Sequence, residues 1–67
     1  MSSMFDFCVD TYADMQGIYH TRDWEDPRCA KLLKECQEYV LSHSDVSERE
    51  FWKIWHRAVE WYDETVL

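Results

Sequence analysis

Residues 47–62 read SEREFWKIWHRAVEWY, in which a helix start signal leads directly into an aromatic-rich helix. Ser47 and Glu50 have the spacing of a capping box, the reciprocal pair of hydrogen bonds that closes a helix N-terminus. Val46 and Phe51 occupy the flanking positions of a hydrophobic staple. At about 100° per residue, the apolar side chains of this helix spread over roughly 180° of its circumference. Because a helix packed on one core usually needs an apolar arc of about 100° or a little more, the surplus predicts a contact with a partner surface.

The apolar residues of this helix divide into one central line and two flanks. The central line predicts the intramolecular seam and contains Phe51, Trp55, Ala58 and Tyr62. Trp52 lies on one flank, and Ile54 and Trp61 lie on the other. A three-helix bundle can bury two adjacent stripes, since each helix packs against two others, so one flank is expected to remain for a partner. Trp24, in the connection before the second helix, either plugs the end of the bundle or joins that surface.

Two further helices are predicted upstream. Ser2 or Ser3 can cap the first. Its seam recurs in steps of three and four at Phe5, Cys8, Tyr12, Met15 and Tyr19. Asp26 and Pro27 form the start signal of the second helix, since Asp caps and Pro suits the first helical position. The inward stripe of the second helix is predicted to contain Cys29, Leu32, Leu33, Cys36, Tyr39 and Val40.

These segments predict an all-α fold, a small antiparallel three-helix bundle in a single domain over residues 1–67. Helices are expected over about residues 3–20, 27–42 and 48–65. A helical hairpin that dimerises into a larger bundle is the alternative, because the apolar arc of the third helix is wide. One glycine and one proline argue against a β-rich fold, and a hydrophobic content of 46% argues against a disordered chain.

The formal net charge is −7, and residues 1–26 hold six acidic residues against Arg22 alone. An acidic chain is a poor candidate for direct binding to nucleic acid, where Lys and Arg neutralise the phosphates. It could bind a basic protein surface, including one that normally holds DNA or RNA. The plainer explanation is that the charge keeps an aromatic-rich protein soluble.

An acidic row of Asp6, Asp10 and Asp14 follows one face of the first helix, with a step of four residues. Neighbouring carboxylates in such a row repel by a few tenths of a kcal/mol, a small cost that invites a functional interpretation. Phe7 and Ile18 are expected on the same outer face, which would then form an interface patch with apolar anchors and charged edges. The alternatives are a solvated helix face with scattered apolar residues and a charge mimic of a phosphate backbone.

The chain has three cysteines without a CxxC pair, no signal peptide and no run of about 18 apolar residues. These features predict reduced thiols in a cytoplasmic protein without a membrane segment. Cys29, Cys36 and His43 share one stripe of the second helix, but successive members lie about 10.5 Å apart, too far for one zinc ion. A site that combines one of them with Cys8 is the weaker alternative to buried thiols acting as small hydrophobic residues. We therefore predict no metal and no cofactor.

No enzyme is predicted, because His20, His43 and His56 have no nucleophile or paired carboxylates beside them in an assignable pattern. The expected function is a small acidic protein-binding module, an inhibitor or regulator that occupies a basic surface of another protein. Phage- and plasmid-encoded inhibitors provide an analogy of size and composition. The expected contact residues are Asp6, Phe7, Asp10, Asp14, Ile18, Trp24, Trp52, Ile54 and Trp61. A self-associating helical module and a nucleic-acid mimic are the alternatives.

Overall fold

The computed structural model describes residues 3–66, which form three helices and no strand. The first helix, α1, spans Met4–Asp14 and continues as a π-helical turn over Met15–Tyr19. The second, α2, spans Pro27–Ser42, and the third, α3, spans Glu48–Thr65. Each helix contacts the other two, which confirms the predicted all-α three-helix bundle. The predicted dimerisation stays a prediction.

The start of α1 is closed by a capping box that the sequence did not predict. The Ser3 hydroxyl accepts a hydrogen bond from the Asp6 backbone N–H at 3.1 Å. The Asp6 carboxylate in turn accepts one from the Ser3 backbone N–H at 3.5 Å. Ser3 is therefore the cap, and Ser2 lies outside the described residues. The first aspartate of the acidic row thus has a local structural role, because it satisfies donors that the first helical turn leaves free.

The end of the first helix departs from regular α-helical geometry around Gly17. The chain widens there into the π-helical turn and stops at His20, whose left-handed backbone has φ 57°. The His20 N–H donates to the Gln16 carbonyl at 3.1 Å, which satisfies one of the acceptors left at a helix C-terminus. The predicted end of the first helix at residue 20 is confirmed, but its last turn has a different geometry.

Asp26 and Ser47 cap α2 and α3 as predicted, but the capping box predicted for α3 forms only in part. Asp26 caps α2 by accepting from the Arg28 backbone N–H at 2.9 Å. Ser47 caps α3 by accepting from the Glu50 backbone N–H at 3.2 Å. The Glu50 carboxylate, however, accepts from the Ser47 hydroxyl at 3.4 Å and not from the Ser47 backbone. The capping box predicted here is therefore only half formed.

The core takes buried side chains from all three helices. Its central aromatic contact joins Tyr12 of α1 to Trp55 and Tyr62 of α3, edge to face, with ring centroids 6.0 and 5.4 Å apart. Such pairs add about 0.5–1.5 kcal/mol beyond the burial of their surface. Buried residues include Cys8, Tyr12, Met15, Cys29, Leu33, Cys36, Val40, Phe51, Trp55 and Ala58. The predicted seam of α3 is confirmed at Phe51, Trp55 and Ala58, while Tyr62 is half-buried.

Candidate functional site

An aromatic stack crosses the surface between α1 and α2. The Phe7 ring of α1 stacks on the Tyr39 ring of α2, with centroids 4.7 Å apart and planes 18° apart. Tyr39 stacks in turn on His43, with centroids 4.1 Å apart. The Tyr39 side chain is 49% exposed and Phe7 is half-buried. The two helices therefore present aromatic surface to solvent at their junction.

The exposure of Tyr39 corrects the sequence prediction, which had placed this residue on the inward stripe of α2. The positions Cys29, Leu33, Cys36 and Val40 already fill that stripe. Tyr39 precedes Val40 by one residue, or about 100° of helix rotation, so its ring lies at the edge of the stripe. Phe7 was expected on an outer face away from the core, but it turns towards α2 and covers part of that edge.

Two clefts flank this stack, and together they form what we call the α1–α2 groove. The first cleft, of about 220 Å³, is lined by Ser3, Met4, Phe7, Tyr39, Val40, His43 and Ser44. The second, of about 320 Å³, is lined by Phe7, Thr11, Asp14, Leu32, Glu35, Cys36 and Tyr39. Residues 7 and 14 of α1 thus face residues 39 and 32 of α2, so these two helices run antiparallel. Among the described residues, the second cleft combines an apolar floor with two acids and no base.

Cys36 lines the second cleft, and the Cys8 thiol, which does not line it, lies behind as the neighbour that shifts the pKa of Cys36. Cys8 is 0% exposed and Cys36 is 2% exposed. The hydrogen bond from Cys8 lowers the pKa of Cys36 in spite of its burial, with a further contribution from the Thr11 hydroxyl. Donation to Cys36 and burial raise the pKa of Cys8. Cys36 is therefore the more acidic thiol of the pair.

The Thr11 hydroxyl has two acceptors within reach. It donates to the Phe7 carbonyl at 3.0 Å, and it also contacts the Cys36 thiol. A hydroxyl has one proton to donate. The hydrogen bond that the structure shows for this proton is the one to the Phe7 carbonyl.

The three carboxylates of the predicted acidic row have different local surroundings. All three of its carboxylates are exposed, but Asp6 belongs to the capping box and Asp14 lines the second cleft. Asp10 lies between them on the exposed side of α1. Ile18, in the π-helical turn, is 60% exposed. Phe7 and Asp14 are therefore the two members of the predicted α1 patch that line the groove.

The two flanks of α3 have different surroundings. On one flank, Trp61 is 42% exposed and meets the Phe5 ring edge to face, with centroids 6.1 Å apart. A shallow surface depression there is lined by Phe5, Arg57, Glu60, Trp61 and Glu64. Ile54, predicted beside Trp61, is half-buried against the core. This flank therefore exposes one tryptophan among charges of both signs.

On the other flank, Trp24 from the connecting segment packs onto the core. Its ring meets those of Tyr12 and Trp55 edge to face, with centroids 6.3 and 6.0 Å apart. Trp52 is half-buried against Phe51, at 5.4 Å between centroids, and lies 6.2 Å from the His56 ring. The Trp24 ring packs on the core but remains partly exposed, so its role in a partner contact stays a prediction. Trp24 and Trp52 therefore expose less aromatic surface to a partner than the width of the apolar arc of α3 predicted.

The connecting segment is fixed to α3 through a polar cluster. The Asp63 carboxylate accepts from the Tyr12 hydroxyl at 3.0 Å and from Arg22 at 3.2 Å. Burial, together with the neighbouring Asp63 carboxylate, raises the pKa of Tyr12 to about 12. This cluster lies beside the core, and it joins α1, the connection and α3.

Comparison with protein-family models, with curated proteins and with solved structures finds no match to this chain. Within residues 3–66, no three His, Cys, Asp or Glu side chains converge closely enough to hold a metal ion. None of the helices described there combines the length and apolar character that crossing a membrane requires. The arguments for function therefore rest on the surfaces of the bundle itself.

Proposed function

We propose that this protein is a small acidic binding module that occupies a basic surface of another protein and acts as its inhibitor or regulator. The α1–α2 groove is the proposed contact site. The observation that carries the proposal is the half-exposed stack of Phe7 and Tyr39, with a cleft on each side. Tyrosine is enriched among the residues that dominate interface energies, and an apolar cleft beside it provides room for a partner side chain.

Charge indicates the chemistry of the partner. Asp14 and Glu35 line the second cleft from opposite helices, and the chain as a whole has a net charge of −7. A segment with an apolar side chain for the cleft and Lys or Arg beside it would complement both features. An amphipathic helix with one basic side fits this description. The three free cysteines support the further proposal that the protein works in the cytoplasm, where thiols stay reduced.

Affinity capture with matched variants tests this proposal. Wild-type protein should retain a basic protein from a lysate of its source cells. The captured protein is then purified and titrated directly. Tyr39→Ala should weaken binding about 30-fold or more, the effect of losing an anchor worth about 2 kcal/mol. The double variant Asp14→Lys/Glu35→Lys should weaken it as well, and added salt should do the same for wild type.

Trp61→Ala is the matched control, because it removes an exposed aromatic side chain that lines neither cleft of the groove. It should leave the affinity within about twofold if the groove is the contact site. Equal losses with Trp61→Ala and Tyr39→Ala, or retention of an acidic protein, would contradict the proposed site. Competition by duplex DNA for the captured protein would instead favour the nucleic-acid mimic.

Self-association through Trp61 is a second candidate with its own observation. Arg57 lies beside Glu60 and Glu64 around the exposed Trp61 ring. A two-fold interface needs a self-complementary patch, and charges of both signs around an apolar centre meet that need. Sedimentation over a concentration series tests it: a mass that doubles for wild type and stays monomeric for Trp61→Ala supports a homodimer. A monomer at every concentration excludes it.

A further inference from the structure

We propose that Cys8 and Cys36 form an oxidisable dithiol pair, which a peroxide converts into a disulfide joining α1 to α2 beneath the groove. The proposal concerns a modification site of the chain and is independent of any binding partner. It rests on the arrangement of the two thiols and on the cleft that reaches one of them.

The arrangement is that of two buried thiols on facing positions of a helix interface. Cys8 lies on α1 and Cys36 on α2, both in the core. Phe7 and Thr11, which lie on either side of Cys8 in α1, line the same cleft as Cys36, so the two cysteines face each other across the α1–α2 interface. A disulfide requires the two Cα atoms within about 4.4–6.8 Å, a separation that closely packed helices with small side chains at the contact can reach. The third cysteine, Cys29, is also 0% exposed. Burial raises the pKa of Cys29, and neither Cys8 nor Cys36 contributes to that shift.

The route to the pair is the second cleft of the groove. Cys36 lines this cleft, whose volume of about 320 Å³ exceeds that of a small oxidant such as hydrogen peroxide. Cys8 does not line it and is fully buried. Reactivity follows both access and thiolate character. Cys36 has the better access and the lower pKa, so it is the residue that the oxidant meets first.

The reaction has two balanced steps. The Cys36 sulfur, as thiolate, attacks one oxygen of hydrogen peroxide, the O–O bond breaks, and hydroxide leaves and becomes water with the proton that the thiol lost. The product is a sulfenic acid on Cys36. The Cys8 sulfur then loses its proton and attacks the Cys36 sulfur, the S–O bond breaks, and a second water leaves. Two thiols are oxidised by two electrons, and one peroxide is reduced to two waters.

The test uses the native wild-type protein and graded hydrogen peroxide. Each sample is quenched, denatured and alkylated, and its intact mass is measured. We expect a species that has lost two hydrogen atoms and takes one alkyl group instead of the three that the reduced protein takes. Peptide mapping should place the disulfide between Cys8 and Cys36 and the alkyl group on Cys29. Dithiothreitol should restore all three free thiols.

Two variants distinguish the pair from general oxidation. Cys8→Ala removes the resolving thiol, so Cys36 should accumulate as a sulfenic acid that dimedone traps. Cys29→Ala should still form the disulfide at the same peroxide dose as wild type. Circular dichroism of each variant establishes that it is folded before it is oxidised. Oxidation of Cys29 at an equal dose, disulfides formed mainly between molecules, or three free thiols after the highest dose would each overturn the proposal.

Discussion

Helix α1 makes two interfaces of opposite character. Towards α3, large aromatic rings interlock inside the bundle, with Tyr12 against Trp55 and Tyr62. Towards α2, the interior contact is made by two small thiols, Cys8 and Cys36, and the aromatic rings lie outside. Protein interiors are filled to the density of organic crystals. A helix pair with small side chains in its interior can therefore leave its aromatic residues at the surface, whereas an interface already filled by rings buries them.

The largest loss of stability is expected when a ring on the α3 side of α1 is truncated, and a ring on the α2 side provides the comparison. Trp55 is 0% exposed, so Trp55→Ala should cost about 3–5 kcal/mol. A domain of this size has only roughly 0.05–0.15 kcal/mol of stability per residue, and the variant should be largely unfolded. Tyr39→Ala should cost about 1 kcal/mol, because that ring is half exposed. Urea denaturation followed by circular dichroism measures both values.

A matched variant sharpens this contrast. The Trp55 indole N–H is buried and has no hydrogen-bond partner among the described residues. In Trp55→Phe the smaller ring leaves a cavity, which destabilises the fold. The variant also removes the unpaired N–H donor, and this offsets part of the loss by about 1–3 kcal/mol. It should therefore be far milder than Trp55→Ala. Equal destabilisation by Tyr39→Ala and Trp55→Ala would show that the two sides of α1 are not different.

Alkaline pH should weaken the α1–α3 side in particular. The pKa of Tyr12 is raised from 10.0 to about 12 in the folded protein. Because the pKa is higher in the folded than in the unfolded protein, the neutral hydroxyl stabilises the fold at any pH below the unfolded pKa. This contribution is lost as the pH rises from about 10 to about 12. Two pKa units correspond to about 3 kcal/mol. Denaturation at a series of pH values measures the decline.

Tyr12→Phe is the control for that decline, since it lacks both the titrating hydroxyl and the hydrogen bond to Asp63. At neutral pH it should be less stable than wild type by about 1.5–3 kcal/mol, as for a hydrogen bond to a charged group. Its stability should then fall less steeply than that of wild type above pH 10. Parallel declines of the two proteins would assign the pH dependence to other groups.

The smallest effect is expected at the end of α1, outside both interfaces. His20 has a left-handed backbone with φ 57°, which costs a residue with a Cβ about 1 kcal/mol. His20→Gly relieves that strain and places glycine at a position where helices commonly end with it. The variant should be about 0.5–1 kcal/mol more stable, measured as a rise in the thermal midpoint. A lower midpoint would mean that the His20 ring makes a stabilising contact.

Helix bounds and caps were predictable because their signals are local. Asp26 before Pro27, and Ser47 three residues before Glu50, identified the starts of α2 and α3 without knowledge of the rest of the chain. Ser3 and Asp6 show the limit of a fixed motif. The usual capping box has Glu or Gln at the third helical position, whereas Asp6 fills that place here.

The candidate groove depends on packing between helices and could be predicted only in part. Periodicity placed Cys36 and Tyr39 on one stripe, but it could not rank which would reach the interior. Which of the two side chains is buried depends on the space between α1 and α2. The side chains of Cys8 and Phe7, on the facing side of α1, determine that space. The sequence offered Cys8 only as a possible member of a metal site with Cys29, Cys36 or His43, because spacing within one helix contains no information on which residue of the opposite helix it faces.

The hydrogen bond from Tyr12 to Asp63 joins residues 51 positions apart, and this separation has a consequence during synthesis of the chain. The largest buried ring, Trp55, also belongs to α3. The first two helices are therefore synthesised before the ring around which they pack. Contacts of large sequence separation form late, since the loop between them must first be closed. Helix α1 consequently cannot bury its apolar seam against α3 until synthesis of α3 is complete.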